Sequence, residues 1–236
     1  MNTVAKVMQE LEALGSEQTV KTFRRHGANG PMFGVKVGDL KQVLKQIRGN
    51  QSLALELWET GNLDAMYLAA LVADGSQMTA KQLDAWAKSA WWQMLSEYSV
   101  PWVASEHPQA FAIAKKWIAS KRPQIQTSGW NAYSSAISIR ADAELDLAEL
   151  EELLQMVERD IHQADNRVKY VMNGFVIAVG SYVQPLLGKA KATAKRIGVV
   201  EVNLGDTACN VPLATEYIAK VEQANRVGQK RKTAKC

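Results

Sequence analysis

Apolar residues recur at the spacing of an α-helix along almost the whole chain, and this pattern restricts the fold more than any other feature. The stripe near the N-terminus consists of Val4, Val7, Met8, Leu11 and Leu14. Beyond a Gly-rich connector over residues 26–38, the predicted helices cover 52–60, 63–74, 79–89, a Trp-rich stretch from 90, 109–119, 124–139, 146–163 and 167–182. Short polar breaks separate them. We predict an all-α protein.

The spacing of the predicted inner helices suggests a repeat. They start near Asp64, Trp92, Gln124 and Arg167, offsets of roughly 28 to 43 residues, which is loosely the length of a HEAT-type helix pair. We therefore predict a HEAT-like helical-repeat solenoid over residues 1–225, forming a single domain, followed by a basic C-terminal tail over 226–236. The alternating residues 199–204 before Gly205 indicate a small β-hairpin. At the start of the third helix, Asp39 is the predicted cap.

Composition excludes several classes of protein. The chain has 236 residues, of which 47% are hydrophobic and 22% charged, so disorder is excluded as the main state. No apolar stretch approaches the ~20 residues of a membrane crossing, and residues 1–15 carry charges where a signal peptide would be apolar. We expect a soluble cytoplasmic protein, a monomer, without membrane association. Two isolated cysteines and three scattered histidines predict no metal site, and no cofactor is expected.

Charge is distributed unevenly along the chain. Residues 142–160 carry a net charge of −7 and residues 185–236 a net charge of +6. Lys41, Lys45 and Arg48 lie at i, i+4 and i+7, so one helix face can present three cations to a phosphate backbone. The alternative is an ordinary solvated surface with a frayed tail.

Six of the seven tryptophans fall between residues 86 and 130. Trp86, Trp102 and Trp117 lie on otherwise apolar faces, which predicts core packing. Trp91 and Trp92 are adjacent, so a helix directs them about 100° apart. We expect one of these two rings to face a groove.

Several segments together resemble a known family. They are residues 33–45, Leu57-Trp58, the Trp91-Trp92 pair with Pro101 following, and residues 116–120. In this order they are similar to DNA alkylation repair proteins of the AlkD type, and the resemblance extends over most of residues 1–185. It implies a HEAT-like solenoid with a basic face for double-stranded DNA, alkylated or distorted. Catalytic members are glycosylases that excise cationic alkylpurines such as 3-methyladenine and 7-methylguanine, without a metal.

The chemistry of that reaction explains the side chains that such a site needs. Alkylation places positive charge on the purine and weakens the glycosidic bond, so a carboxylate and electron-rich rings near the sugar stabilise the developing cation. The resemblance places the groove-lining Trp at Trp92. The position of the family's catalytic Asp falls on Ser96 when counted forward from Trp92 and on Glu97 when counted back from Pro101, because the resemblance implies one residue more between them here. A carboxylate is present only in the second alignment. Glu97 shares a face with Trp92 only if the helix bulges or ends there.

Two further family positions differ here. The phosphate-holding Arg corresponds to Thr127, with Arg122 or Lys121 as substitutes. The second groove Trp corresponds to Phe175. Arg167 and Lys169 are further candidates for DNA contact, with a solvated helix start as the alternative. Trp130 is a candidate replacement ring, with core packing as the alternative.

Three functional hypotheses follow. The first is an alkylpurine DNA glycosylase that uses Glu97, Trp92 and Phe175. The second is a non-catalytic binder of damaged or branched DNA, favoured by the departures at Ser96 and Thr127. The third is a protein-interaction scaffold that docks partners through the acidic 142–160 helix or the tail.

Overall fold

A computed structural model describes residues 3–235, and within this range the regular secondary structure is entirely helical. The α-helices are Val4–Leu14 (α1), Glu17–Arg25 (α2), Val37–Ile47 (α3), Gln51–Glu59 (α4), Leu63–Val72 (α5), Ala80–Ser89 (α6), Val100–Glu106 (α7), Ala110–Ile118 (α8), Pro123–Ile139 (α9), Leu147–Asp160 (α10), Asn166–Tyr182 (α11), Leu187–Ile197 (α12) and Ala214–Gln223 (α13). Seven of the predicted helices begin and end within three residues of these bounds. The all-α prediction is confirmed.

The chain forms two compact units. Unit 1 extends to Pro108 and also contains Leu204–Ala208 and Lys235; unit 2 comprises Gln109–Asn203 and Cys209–Ala234. The single domain predicted over residues 1–225, with a tail from 226 to 236, stays a prediction. The last residue of that tail, Cys236, lies outside the described residues.

The core of unit 1 surrounds α5, in which nearly every residue is buried. A helix that is apolar on all sides is stable only when neighbours cover it, and α1, α3, α4 and α7 pack against it. Next to it, Trp58 of α4 stacks on Trp86 of α6 with ring centroids 4.0 Å apart. Tyr67 meets Trp102 edge-on at 5.6 Å. The core positions predicted for Trp86 and Trp102 are confirmed.

In unit 2, α9 and α11 form the centre. They pack on each other, α8 packs on α9, and α12 and α13 pack on α11. A close approach of α8 to α9 depends on Gly129, because a Cβ atom there would lie 2.5 Å from the backbone nitrogen of Ile118. Trp117 is buried at this contact, as predicted. Among the described residues, no single helix is both long and apolar enough to cross a bilayer. The two helical segments Asn166–Tyr182 and Gln184–Ile197, which are bent relative to each other, reach the length and composition of a membrane span only when they are taken together.

The cap predicted for the third helix is wrong. Helix α3 begins at Val37 with Lys36 at the N-cap and no side-chain cap bond, and Asp39 lies inside the first turn. The helix starts before Asp39 because the residues up to Val35 are already held by hydrogen bonds to Asp64, the last of them from the N–H of Val35. In the first turn, Asp39 still interacts favourably with the positive end of the helix dipole.

The predicted β-hairpin is also wrong. Residues 199–211 form no strand and follow an irregular path. The side chain of Asn166 takes the place of a partner strand at Asn203: its Oδ1 accepts from the backbone N–H at 2.7 Å, and its amide donates to the backbone carbonyl at 2.7 Å. Backbone groups that are satisfied in this way are not available for a ladder.

The Gly-rich connector between α2 and α3 is held by one buried carboxylate. Asp64, at the start of α5, accepts hydrogen bonds from the backbone N–H groups of Phe33, Gly34 and Val35 at 2.7, 3.0 and 2.9 Å. A charged acceptor strengthens each of these bonds. The connector therefore has a fixed conformation although it contains no regular structure.

We predict that Asp64→Asn lowers the free energy of unfolding by about 1–3 kcal/mol, because the amide NH2 would face backbone donors in place of an acceptor oxygen. Glu56→Gln, an exposed position on α4, is the matched control and should change stability by less than about 0.5 kcal/mol. Urea unfolding measures both variants. Equal losses in the two would contradict a specific role for Asp64.

Candidate nucleic-acid interface

The two adjacent tryptophans are anchored to loops of unit 1. The indole N–H of Trp92 donates to the carbonyl of His26 at 3.0 Å, and its ring lies 5.3 Å from that of Phe23. Trp92 is only 8% exposed. The indole N–H of Trp91 donates to the carbonyl of Gly61 at 3.2 Å. Trp91 is the more exposed of the pair, and both indole N–H groups already have partners within the protein.

Three residues after Trp92 the helix widens into a π-turn. Residues Leu95–Ser99 have π-helical geometry, and the N–H of Val100 donates to the carbonyl of Leu95, five residues back. A π-turn accommodates one residue more than an α-turn and often occurs at functional sites. The family resemblance implies one residue more before Pro101 in this chain. The bulge that Glu97 requires in order to replace Ser96 is therefore present.

Glu97 is buried, whereas a catalytic acid must be accessible to the substrate. Glu97 is 2% exposed, Ser96 is also buried, and both side chains have interactions within the protein. A carboxylate that stabilises a sugar cation must lie close to the anomeric carbon. In this conformation solvent, and hence DNA, does not reach Glu97, and its catalytic role stays a prediction.

In unit 2, the predicted ring positions belong to a buried aromatic cluster. The rings of Trp130 and Phe175 lie 5.1 Å apart, and Tyr133 meets Phe175 edge-on at 5.8 Å. All three are fully buried. Thr127, on the same helix as Trp130, is buried as well, and its hydroxyl donates to the carbonyl of Gln124 at 2.8 Å. Contact with DNA through Thr127, Trp130 or Phe175 would require the protein to change conformation.

The hydroxyl of Tyr133, a polar group at the edge of this cluster, has its hydrogen-bond partner within the protein. The hydroxyl of Tyr133 donates to Glu149, which also forms an ion pair with Lys115. Burial, followed by this hydrogen bond, raises the pKa of Tyr133 far above its usual range, so the hydroxyl stays protonated. The hydrogen bond that the Lys115 ammonium donates to Glu149 likewise raises the pKa of Lys115. The negative charge of Glu149 is therefore already balanced by the Lys115 ammonium.

Other predicted contact residues are accessible. Lys41 and Lys45 on α3 and Arg48 just after it are exposed, and their side chains have no ion-pair or hydrogen-bond partner among residues 3–235. In unit 2, Arg122 at the start of α9 is exposed and similarly unpaired within the described part of the chain. A cation without an acidic partner can neutralise a phosphate with no internal bond to break.

The two candidates at the start of α11 differ. The guanidinium of Arg167 lies 4.5 Å from the centroid of the Tyr170 ring, which holds the side chain against the helix. Lys169 is partly exposed. In the described residues there is no group of three or more His, Cys, Asp or Glu side chains that would hold a metal ion.

Sequence reasoning missed the residues that hold the Trp pair in place. The carbonyl of His26 accepts from Trp92 and, at 3.4 Å, from Gln93. At Gly30 a Cβ atom would lie 2.6 Å from the ring of Trp91, so only glycine allows the ring to pack there. The available signal was the glycine content of the connector, which indicates a close approach as well as a turn.

Comparisons with known proteins agree with this architecture. The sequence model of a family described as DNA alkylation repair enzyme matches residues 7–195. The uncharacterized protein Lin0241 of Listeria innocua is 37% identical over 96% of this chain and 100% of its own length. For the uncharacterized protein Lmo0209 of Listeria monocytogenes the identity is 35%, with the same shares of both chains.

A solved structure is similar over nearly the whole chain. It is described as "a new family of proteins related to the HEAT-like repeat DNA glycosylases with affinity for branched DNA structures". The TM-score is 0.90 at 40% sequence identity, covering 98% of this chain and 99% of that chain. The predicted HEAT-like fold is confirmed.

We predict that Gly30→Ala destabilises the protein by about 1–3 kcal/mol, because the added methyl group would displace the ring of Trp91. Gly38→Ala is the control: its Cβ would meet nothing within 4 Å, and alanine favours the helix there by up to about 1 kcal/mol. Urea unfolding followed by tryptophan fluorescence measures both. A neutral Gly30→Ala would refute the packing constraint.

Proposed function

Because the chain belongs to the DNA alkylation repair enzyme family, we propose that it binds branched DNA through phosphate contacts and leaves glycosidic bonds intact. The observation that carries this proposal is a contrast in exposure. The predicted phosphate contacts Lys41, Lys45 and Arg48 are exposed and unpaired among the described residues, whereas Trp92 and Glu97, at the family's catalytic positions, are buried.

The physical requirements of binding and of catalysis explain why one can persist without the other. Affinity for DNA is a sum over many phosphate contacts, so it tolerates the loss of individual residues. Catalysis needs each group at a fixed place, and a catalytic group typically contributes a factor of ~10² to 10⁴. With Thr127 in place of the family's phosphate-holding Arg, one such group is replaced by an uncharged, buried side chain.

The similar solved structure supports the choice of substrate. That protein is described as having affinity for branched DNA, and at 40% identity over 98% of this chain it shares the fold. Branched DNA brings phosphates of several arms close together, so cations on separate surfaces can be satisfied at once. We therefore propose a four-way or forked junction in preference to a linear duplex.

We predict that the protein binds a four-way junction more tightly than a linear duplex of the same sequence. Replacing Lys41, Lys45 and Arg48 together by Gln should weaken this binding. The slope of log K against log salt concentration should also fall in magnitude by up to about 2.7, since each lost phosphate contact removes about 0.9. Fluorescence anisotropy between 50 and 200 mM NaCl, the range in which ~6–10 phosphate contacts change affinity strongly, measures both quantities.

A charge-matched control separates specific contacts from net charge. Lys21, Arg140 and Arg159 are each paired with an acid, Glu17, Glu144 and Asp160 respectively. Replacing these three by Gln removes the same charge but should leave the salt slope nearly unchanged. Equal effects of the two triple variants, or binding insensitive to salt, would count against the proposal.

One observation favours a second candidate function, an alkylpurine DNA glycosylase. The π-turn at Leu95–Ser99 accommodates the additional residue before Pro101, so Glu97 takes the family's acid position when counted from that proline. This candidate requires Glu97 to become exposed when DNA binds.

Incubation with DNA that contains 7-methylguanine or 3-methyladenine decides between the two. We expect base release at the spontaneous rate from wild type and from Glu97→Gln alike. Release above that rate, reduced ~10²-fold or more by Glu97→Gln but not by Ser96→Ala, would establish the glycosylase instead. Circular dichroism of each variant verifies folding.

A further inference from the structure

Unit 2 contains an open cleft that no sequence motif indicated. It has a volume of about 660 Å³ and lies between the last turn of α11, helix α13 and the residues that follow α13. Ligand clefts in proteins typically measure roughly 300–1,000 Å³. The space therefore suits one nucleotide unit, and because the cleft is open a strand can continue on either side.

The wall of this cleft is strongly cationic. Lys220, Arg226, Lys230 and Arg231 line it, and no acidic residue does. The side chains of Lys220, Arg226 and Arg231 are exposed and have no ion-pair or hydrogen-bond partner among residues 3–235. Three unpaired cations converging on one concave surface form a site for a polyanion.

The fourth cation, Lys230, has a structural role: it holds one wall of the cleft in place. The ammonium of Lys230 donates to the carbonyls of Ile137 and Tyr182 at 2.9 and 2.8 Å, near the C-terminal ends of α9 and α11. Asp142 approaches the ammonium at 2.8 Å as an ion pair, outside hydrogen-bond geometry. These contacts, with a bond of 2.7 Å from the N–H of Arg231 to the carbonyl of Ser138, fix the segment after α13. The cleft is thus preformed, which reduces the entropy cost of binding.

A buried hydroxyl at the cleft lacks a partner. Ser181 is 5% exposed and the most buried of the lining residues, and its Oγ has no hydrogen bond to any described residue. A buried polar group left without a partner costs free energy, so rotation of this hydroxyl toward an acceptor oxygen of an occupant is favoured. A phosphate oxygen or a base carbonyl meets this requirement.

An aromatic ring completes the site. Tyr217 on α13 is 48% exposed, one of two large hydrophobic residues in the described chain with so much exposed surface. Exposed rings next to cations bind unpaired bases, because every base has a face that can stack. A base inside a duplex is stacked on its neighbours and does not offer that face.

We propose that this cleft binds an unpaired nucleotide of single-stranded DNA, with its phosphate at Lys220, Arg226 and Arg231 and its base on Tyr217. The proposal deepens the proposed function, on which it rests: the cleft holds the single-stranded arm of a branched molecule, such as a fork.

The experiment compares two labelled DNA probes, a (dT)10 oligonucleotide and a fully paired four-way junction, by fluorescence anisotropy. We expect Tyr217→Ala to weaken binding of (dT)10 about tenfold or more, by loss of stacking, and to change the Kd for the junction by less than about twofold. Tyr217→Phe keeps the ring and should keep the affinity. Arg226→Gln with Arg231→Gln should also weaken (dT)10 binding selectively, compared with the control pair Arg140→Gln and Arg159→Gln.

The outcomes separate this proposal from the proposed function. Binding of (dT)10 that depends on Tyr217, without affinity for the junction, supports the cleft and overturns branched-DNA binding. Junction binding with (dT)10 affinity that is absent, or unaffected by Tyr217→Ala in a protein with native circular dichroism, overturns the cleft. Binding of thymidine monophosphate as tightly as (dT)10 would show a mononucleotide site and overturn the proposal for a DNA strand.

Discussion

The arrangement of unit 1 depends on one carboxylate. Asp64 accepts three successive backbone N–H groups of the connector, Phe33 to Val35, and so fixes a segment that has no regular hydrogen bonding of its own. His26 and Gly30, which precede Phe33 in this connector, contact the two adjacent indoles. The carbonyl of His26 accepts a hydrogen bond from Trp92, and Gly30 leaves space for the ring of Trp91. Trp91 and Trp92 directly precede the helical turn that leads into the π-turn. Because both rings contact the connector that Asp64 holds, the start of that helical turn is fixed as well.

A π-turn is a means by which a helix accommodates an additional residue without disturbing the packing that follows it. One additional residue before Pro101 would rotate every later side chain of an α-helix by about 100°. The wide turn at Leu95–Ser99 has room for such a residue, and Trp102, three residues after it, meets Tyr67 in the core. Glu97 lies within this turn and is buried, so the turn does not present its carboxylate to solvent.

The use made of each cation matters more than the net charge of the chain. Part of the basic C-terminal segment serves the structure: Lys230 binds two helix-end carbonyls in unit 2, and Lys235 bonds to the carbonyl of Ala73 and to Glu106 within unit 1. By contrast, Lys41, Arg122 and Arg226 have no partner within the described residues. Only cations of the second kind are available to phosphates, and they occur in both units.

Helical periodicity in the sequence was sufficient to predict most helices of the fold, to within three residues, and the core positions of Trp86, Trp102 and Trp117. These features repeat over three or four residues, so local sequence contains them. The alternation over residues 199–204 does not lead to a hairpin; within it, the side chain of Asn166 satisfies both backbone groups of Asn203 that a partner strand would have paired.

The exposure of each candidate side chain was decided by tertiary packing alone. Phe175 and Glu97 were predicted as site residues from the sequence, yet both are buried. The cleft of unit 2 combines Ser181 with residues 217–231, and its wall is fixed by carbonyls at Ile137 and Ser138. Sequence records which side chains are available, whereas burial and convergence arise from contacts between segments that are far apart along the chain.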